Sequence, residues 1–237
     1  MDDTLEVAMT SVLEQLDPGA FEVLVVDDGS TDGSLEVLKR LKAKFANFRF
    51  ITLERDRKRK LGWTRNISIL AARGQYVLLH IDADDQWEPY LTEFVELFHE
   101  LEIASGKDFH LSGQQTGIGK RDLLLKFGPF ENVYRCEDRN LMMKLANRGL
   151  LLFMDYSVYR KRLSRPKSKQ FQKSWTDLFS QMLFELRQDE LGLRYFKTQL
   201  LAPFKQGHQS FKIRVIRALW VIPMFLFLAS MRKLKMR

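Results

Sequence analysis

The sequence predicts an α/β protein built on a mainly parallel β-sheet with helices on both faces. Short apolar runs alternate with amphipathic helical patterns through residue 100. This alternation is typical of parallel strands joined by crossover helices. In addition, two clusters of aspartates directly follow two of the predicted strands. Because ligands bind beyond the carboxyl ends of the strands in such sheets, these clusters predict a functional site at that edge.

The first half of the chain divides into helices with apolar residues three or four positions apart and into short apolar strands. Glycine, proline and capping residues separate these segments. The predicted elements are a helix over 5–16, a strand over 21–26, a helix over 35–45, a strand over 48–53, a helix over 62–73, a strand over 77–85 and a helix over 89–101. In the helix over 62–73, Trp63, Ile67 and Leu70 are expected to face inward.

After Gly106 the pattern becomes less regular. A short strand over 109–113 precedes Gly117-Ile118-Gly119-Lys120, which predicts a flexible turn because glycines dominate it. The remaining predictions are a short helix over 121–127, a helix that opens at Glu137-Asp138, a strand over 150–154 and helices near 170–187, 189–201 and 210–231.

Charge divides the chain into two predicted domains. Residues 1–157 carry 20 lysines and arginines against 26 aspartates and glutamates, whereas residues 158–237 carry 18 against 4. We therefore expect an α/β domain over 1–157 and a basic helical tail over 158–237, with an anionic partner for the tail. The single cysteine, Cys136, excludes an internal disulfide and suits a reducing compartment. Because the N-terminus does not have the pattern of a signal peptide, we expect a cytoplasmic location.

The tail contains an apolar stretch from Ala218 to Met231 with basic residues at both ends. A membrane-spanning helix needs about 20 apolar residues, so this stretch is short for a span. Its flanking charges and Trp220 favour a helix attached peripherally to the inner face of the membrane, and a buried core helix is the alternative. The apolar stretch argues against nucleic acid as the partner.

The apolar run that ends in Asp82, Asp84 and Asp85 is the first candidate for chemistry. Asp82 and Asp84 are two positions apart, so in an extended strand their side chains point the same way. Two such carboxylates repel each other, and a divalent cation that prefers oxygen ligands, Mg²⁺ or Mn²⁺, would relieve the repulsion. The alternative is a solvated acidic turn.

Several motifs, in order along roughly residues 3–155, resemble those of family 2 glycosyltransferases with the GT-A fold, a Rossmann-like architecture. The motifs are Val25–Ser34 with its Asp27-Asp28 pair, Thr64-Arg65-Asn66, Ile81-Asp82-Ala83-Asp84-Asp85, Phe127-Gly128-Pro129-Phe130 and Glu137-Asp138. The resemblance implies an inverting, metal-dependent transfer from a nucleotide-sugar donor to a glycan or lipid-linked acceptor.

The resemblance also implies residue roles. One aspartate of the Asp27-Asp28 pair binds the nucleotide base, and the Asp82-Ala83-Asp84 segment binds the donor and its metal. Asp138 is the catalytic base with Glu137 as its neighbour, although both carboxylates also suit simple capping of a helix N-terminus. Arg65 either approaches the donor phosphates or lies on a solvated helix face.

The sequence departs from the family at its start, because the usual first strand and its nucleotide-binding turn are absent. A catalytically impaired GT-A-like remnant, acting as a membrane-bound interaction module, is therefore the alternative function. The Gln/Arg-x-x-Arg-Trp motif of processive synthases is also absent, which favours a single transfer. A phosphate-accepting signalling domain also clusters aspartates at strand ends, but the lysine-bearing later strand that it needs is not found.

Overall fold

The computed structural model describes residues 2–113, 116–132, 137–154 and 160–163, together with helical positions 215, 219, 222, 223, 226, 227 and 230. The chain forms two compact units, Met1–Ser164 and Arg165–Arg237. The predicted helices near 170–187 and 189–201 lie outside the described residues, as does Cys136.

The first unit contains six helices and eight strands within its described residues. The helices are α1 (Asp2–Leu13), α2 (Ser34–Lys44), α3 (Leu61–Ala71), α4 (Leu91–Ser105), α5 (Arg121–Phe127) and α6 (Arg139–Ala146). The strands are β1 (Val23–Asp27), β2 (Phe48–Thr52), β3 (Tyr76–Leu79), β4 (Asp85–Trp87), β5 (His110–Ser112), β6 (Gly117–Lys120), β7 (Leu151–Phe153) and β8 (Arg160–Arg162).

The strands form three hydrogen-bonded groups. Strands β1 and β2 pair in parallel, and β3, β6, β5 and β7 form a mixed sheet in that order. In the mixed sheet β6 runs antiparallel to both its neighbours, while β5 and β7 are parallel. Strands β4 and β8 pair antiparallel. No ladder joins β1 to β3 in the described part of the chain.

Three apolar clusters hold this unit together. One packs α1 and α2 onto β1 and β2, with Phe48 fully buried at its centre. A second packs α4 against β5 and β6 and contains Phe94 and Phe98. The third joins α3, α5 and α6 to β3 through Ile69 and Leu141. The acidic segments that follow β1 and β3 are therefore attached to packed strands, which fixes their position.

The α/β prediction is confirmed, but three local predictions are wrong. Trp63 and Leu70 of α3 are 49% and 62% exposed, because the helix turns its Ile69 side toward the core. Strand β3 ends at Leu79, so Asp82 and Asp84 lie in a turn rather than in extended backbone. The predicted flexible turn over 117–120 is strand β6, the second strand of the mixed sheet.

Strand β6 contains two glycines because the imidazole of His110 packs against them. A Cβ added to Gly117 would lie 2.5 Å from His110 Nε2, and one added to Gly119 would lie 2.9 Å from His110 Nδ1. His110 is fully buried, and neither ring nitrogen has a hydrogen-bond partner among the described residues. Glycines at these positions thus mark a close side-chain approach within a sheet.

Acidification should destabilise the protein through His110. Burial, together with the charge of His80, lowers the pKa of His110 from 6.5 to about 3. Below about pH 6.5 the unfolded chain therefore binds a proton at His110, whereas the folded chain does not. The free energy of unfolding consequently decreases as the pH falls towards 3. At about pH 4.5 the loss attributable to this group should be about 2–3 kcal/mol relative to about pH 7.5.

Urea unfolding of the wild type and of His110→Leu at both pH values checks this expectation. The leucine variant should lose less stability on acidification than the wild type, by about the same 2–3 kcal/mol. His99→Leu, a change at a more exposed histidine, is the matched control and should retain the wild-type response. Identical acid responses of the wild type and His110→Leu would contradict the expectation.

Candidate active site

The turn after β3 brings three carboxylates together. It begins at His80, whose φ of 67° places a non-glycine residue in the left-handed region. The amide N–H of Asp85 donates a hydrogen bond to the carbonyl oxygen of Asp82 at 3.3 Å and closes the turn. One carboxylate oxygen from each of Asp82, Asp84 and Asp85 lies within 4.8 Å of the others. The carboxylates therefore converge through a turn and not through the pleat of a strand.

These residues fit a hard divalent cation. Asp84 and Asp85 are 3% and 0% exposed, whereas Asp82 is only partly buried. A compact set of oxygen ligands, two of them protected from water, is the chemistry that Mg²⁺ and Mn²⁺ prefer. Ala83, between the two predicted ligands, packs at the margin of the core beside β1 and β2. The residues present can therefore hold such a cation.

The Asp27-Asp28 pair at the end of β1 splits into two environments. Asp27 is 7% exposed, and its carboxylate accepts the backbone N–H of Ser30 at 3.3 Å, which shapes the following turn. Asp28 is more exposed, and its carboxylate pairs with the guanidinium of Arg59. The hydroxyl of Thr64 lies 3.4 Å from the other carboxylate oxygen of Asp28. Asp28 thus lies at the border of the candidate site, at the end of β1, and Asp27 stabilises the turn that follows β1.

Arg65 on α3 lies between two acidic groups. Its guanidinium pairs with the carboxylate of Glu137 and also lies 3.7 Å from Asp82 Oδ1. The Arg65 side chain is only 20% exposed, so the alternative of a solvated helix face does not hold. Because the neighbouring Thr64 contacts Asp28, the first turns of α3 connect the acidic residues after β1, after β3 and before α6.

Removal of the Arg65 charge should destabilise the fold. Glu137 is 4% exposed, and its buried carboxylate would lose its cationic partner in Arg65→Gln. Breaking a buried ion pair from one side costs about 3–5 kcal/mol. Urea unfolding of Arg65→Gln should therefore show a loss of about 3 kcal/mol in the free energy of unfolding.

Arg40→Gln is the matched control, because Arg40 forms an exposed ion pair with Glu6. Solvent screens such an exposed pair, so it contributes little to stability and this variant should remain close to the wild type. Equal losses in the two variants would contradict the importance of the Arg65–Glu137 pair.

Asp138 is held beside a histidine. The Nε2 atom of His80 lies 3.3 Å from Asp138 Oδ2. Burial alone would raise the pKa of Asp138, but His80 and Arg65 outweigh it, so this pKa lies below its usual value. Burial raises the pKa of the adjacent Glu137, although Arg65 opposes the rise. At neutral pH Asp138 is therefore an ionised carboxylate that can accept a proton.

The segment before Glu137 is fixed onto α3. The side-chain amide of Asn66 donates to the carbonyl oxygen of Phe130 at 2.9 Å and accepts the Phe130 N–H at 2.8 Å. Glu131 N–H donates to the carbonyl oxygen of Glu137 at 3.1 Å. A Cβ at Gly62 would lie 2.9 Å from the Glu137 Cβ, so α3 begins in direct contact with this segment. The acidic pair before α6 is thereby positioned against α3.

The structure thus connects most of the predicted site residues through side-chain contacts. Arg65 links Asp82 to Glu137, Asp84 joins the cluster of Asp82, and His80 contacts Asp138. Sequence reasoning assigned no site role to His80, Arg59 or Asn66. The only signal for His80 was a polar residue inside an apolar strand, and Arg59 was one of several similar charges in a loop.

Comparison with solved structures defines the class of the fold. A mannosyltransferase from Pyrobaculum calidifontis in complex with GDP-Man and Mn²⁺ matches with a TM-score of 0.60 at 15% identity, over 97% of this chain and 71% of that chain. Glucosyl-3-phosphoglycerate synthase from Mycobacterium tuberculosis, in complex with Mn²⁺, UDP and glucosyl-3-phosphoglycerate, matches with a TM-score of 0.56 at 19% identity, over 76% of this chain and 75% of that chain. The fold is therefore that of GT-A glycosyltransferases, as the sequence predicted.

The sequence comparison gives the family. The model of glycosyl transferase family 2 matches residues 2–156, and the chain belongs to that family. A poly(ribitol-phosphate) beta-glucosyltransferase of Bacillus spizizenii is 35% identical over 86 residues, which cover 35% of this chain and 13% of the relative. The matched regions span a third or less of the length of the curated relatives.

Proposed function

We propose that this protein transfers a sugar from a nucleotide-diphosphate sugar to a hydroxyl acceptor, with inversion and with help from a divalent cation. The single observation that carries the proposal is the contact of Arg65 with both Asp82 and Glu137. This contact joins a carboxylate cluster that suits a metal–diphosphate group to the segment that bears a suitable base. The family and the metal-bound relatives of the same fold support the assignment.

The donor half of the site consists of the segments after β1 and β3. We assign the binding of Mg²⁺ or Mn²⁺ to Asp84 and Asp82, with Asp85 beside them. When bound, such a cation neutralises the charge that develops on a diphosphate leaving group. We assign the contact with the nucleoside to Asp28, because it is exposed beside Arg59 and Thr64, whereas the carboxylate of Asp27 accepts the Ser30 N–H within the turn.

Asp138 supplies the acid–base chemistry in this proposal. An acceptor hydroxyl has a pKa far above neutrality, so its attack requires a carboxylate that removes the proton as the new bond forms. His80 and Arg65 favour the ionised form of Asp138, and the His80 imidazole limits the movement of its carboxylate. Attack on the anomeric carbon opposite to the departing diphosphate inverts its configuration.

The names of two relatives support a proposal for the class of acceptor. The Bacillus spizizenii relative is named for glucosyl transfer onto poly(ribitol phosphate), and a Bacillus subtilis relative for teichuronic acid biosynthesis. We place the present protein in the synthesis of a glycan, polysaccharide or glycolipid, with a glycan or lipid-linked acceptor.

A panel of nucleotide-sugars, assayed for hydrolysis and transfer with Mn²⁺ and with a metal chelator, tests the function. We expect turnover of one donor that depends on the metal. Calorimetry with the corresponding nucleotide diphosphate provides a second readout. Failure of every donor and nucleotide to bind the full chain would favour the alternative, a GT-A-like remnant that acts as a membrane-bound interaction module.

We further propose a peripheral location at the inner face of the membrane. Among the described residues, no helix is both long enough and apolar enough to cross a bilayer. Leu219, Ile222, Leu226 and Phe227 are helical and exposed, and basic residues flank this stretch in the sequence. We expect co-sedimentation with vesicles that contain phosphatidylglycerol and its loss in Leu226→Glu/Phe227→Glu. Equal sedimentation of this variant would contradict the location.

A further inference from the structure

A second charged feature borders the candidate active site. We define the basic loop as residues 54–60, which connect β2 to α3 and contain five arginines and lysines against two acidic residues. Clustered like charges repel each other and attract an anionic partner that offsets the repulsion. The arrangement of its side chains indicates what the partner is.

Contacts on both sides fix the basic loop to the site. The Arg59 guanidinium pairs with Asp28, and a Cβ at Gly29 would lie 2.8 Å from the backbone of Arg55. On the other side, the Asn132 side chain accepts the Lys60 N–H at 3.0 Å and donates to the Lys58 carbonyl oxygen at 3.1 Å. The loop is therefore held between the turn after β1 and the segment that precedes Glu137.

Three cations of the loop are not used by these contacts. Arg55, Arg57 and Lys58 are exposed, and their side chains form no ion pair or hydrogen bond with any described residue. The carboxylate of Asp56 is directed to the backbone N–H of Lys58 at 2.8 Å. Consequently, three positive charges face solvent on a fixed loop at the rim of the site.

We propose that Arg55, Arg57 and Lys58 bind a phosphate-bearing acceptor and guide it to the site. This inference rests on the proposed function and names the acceptor class for it. The bound phosphate could belong either to the diphosphate of the donor or to a phosphate group on the acceptor. We favour the acceptor, because the carboxylate cluster already suits a metal-bound diphosphate and the three cations are exposed to solvent. Exposed cations at the rim of a cleft raise the local concentration of an extended polyanion.

The experiment compares Arg55→Gln/Arg57→Gln/Lys58→Gln with Lys39→Gln/Lys42→Gln/Lys107→Gln in the full chain. Both variants remove three exposed cations, and the second set lies elsewhere on the first unit. The probes are inorganic polyphosphate, a neutral dextran oligosaccharide, and UDP or GDP with Mn²⁺, each titrated calorimetrically. Thermal unfolding establishes that both variants are folded.

We expect the loop variant to bind polyphosphate at least about tenfold more weakly than the wild type, with the control variant within about twofold. Dextran should not bind detectably, and nucleotide affinity should be unchanged in both variants. An equal loss in both variants, or no loss in either, would overturn the proposal. A selective loss of nucleotide affinity in the loop variant would assign the loop to the donor instead. Failure of the wild type to bind any nucleotide would count against the proposed function. The difference in polyphosphate affinity between the two variants would still test the role of the basic loop.

Discussion

Asp138→Asn is expected to lower kcat for sugar transfer by about 10²- to 10⁴-fold, the range typical of a lost general base. Asparagine has the same shape as aspartate and preserves packing beside His80, but it does not accept the proton of the acceptor hydroxyl. The affinity for nucleotide and Mn²⁺ should stay within about twofold of the wild type, because Asp138 lies outside the carboxylate cluster after β3. Steady-state kinetics with the donor found in the panel, together with calorimetry, measures both quantities.

Asp108→Asn is the matched control for this experiment. Asp108 is an exposed carboxylate that pairs with Lys120 and is not part of the acidic clusters. Its loss should leave kcat unchanged. Full transfer activity in Asp138→Asn would refute the assignment of the base, and the capping role of Asp138 would then remain.

Asp84→Asn is expected to remove the metal dependence of donor binding. Asp84 is 3% exposed within the cluster, so loss of its charge removes a ligand that water cannot easily replace. Several kcal/mol of electrostatic stabilisation depend on such a ligand set, which corresponds to a fall of about 10²- to 10³-fold in kcat/KM. Titration of Mn²⁺ in the presence of the nucleotide diphosphate should show the same loss directly.

Thermal unfolding without metal separates this effect from a general defect. The asparagine side chain fills the same volume, so the metal-free variant should unfold close to the metal-free wild type. Added Mn²⁺ and nucleotide should raise the melting temperature of the wild type only, since ligands stabilise the state that binds them. An equal rise in Asp84→Asn would show that the cation is bound elsewhere.

Much of the fold is readable from local sequence patterns. The predicted helix over 121–127 coincides with α5, and the strand predicted over 48–53 is β2 to within one residue. Both elements are bounded by strong local signals, such as the Gly128-Pro129 pair after α5. The acidic residues after β1 and β3 could be located for the same reason, because each cluster directly follows a short apolar run in the sequence.

The failures have a different origin, because they depend on residues that are distant in the sequence. Gly117 and Gly119 resemble a turn until the buried His110 is seen against them. Arg65 resembles a solvated helix residue until Glu137, far along the chain, is placed beside it. Similarly, no local pattern could predict that the left-handed backbone at His80 brings its ring to Asp138. Tertiary contacts decide all three cases.

The position of Arg65 has a consequence for how this chain can change over time. The Arg65 guanidinium neutralises Glu137 and, at longer range, Asp82. The electrostatic environment of each acid therefore depends on the other. Substitutions at the two acids should be non-additive, each altering the effect of the other through the shared cation. A substitution that adapts the turn of Asp82 to a new donor would therefore require a compensating substitution at or near Glu137. Inherited changes at Asp82 and Glu137 should accordingly occur in pairs.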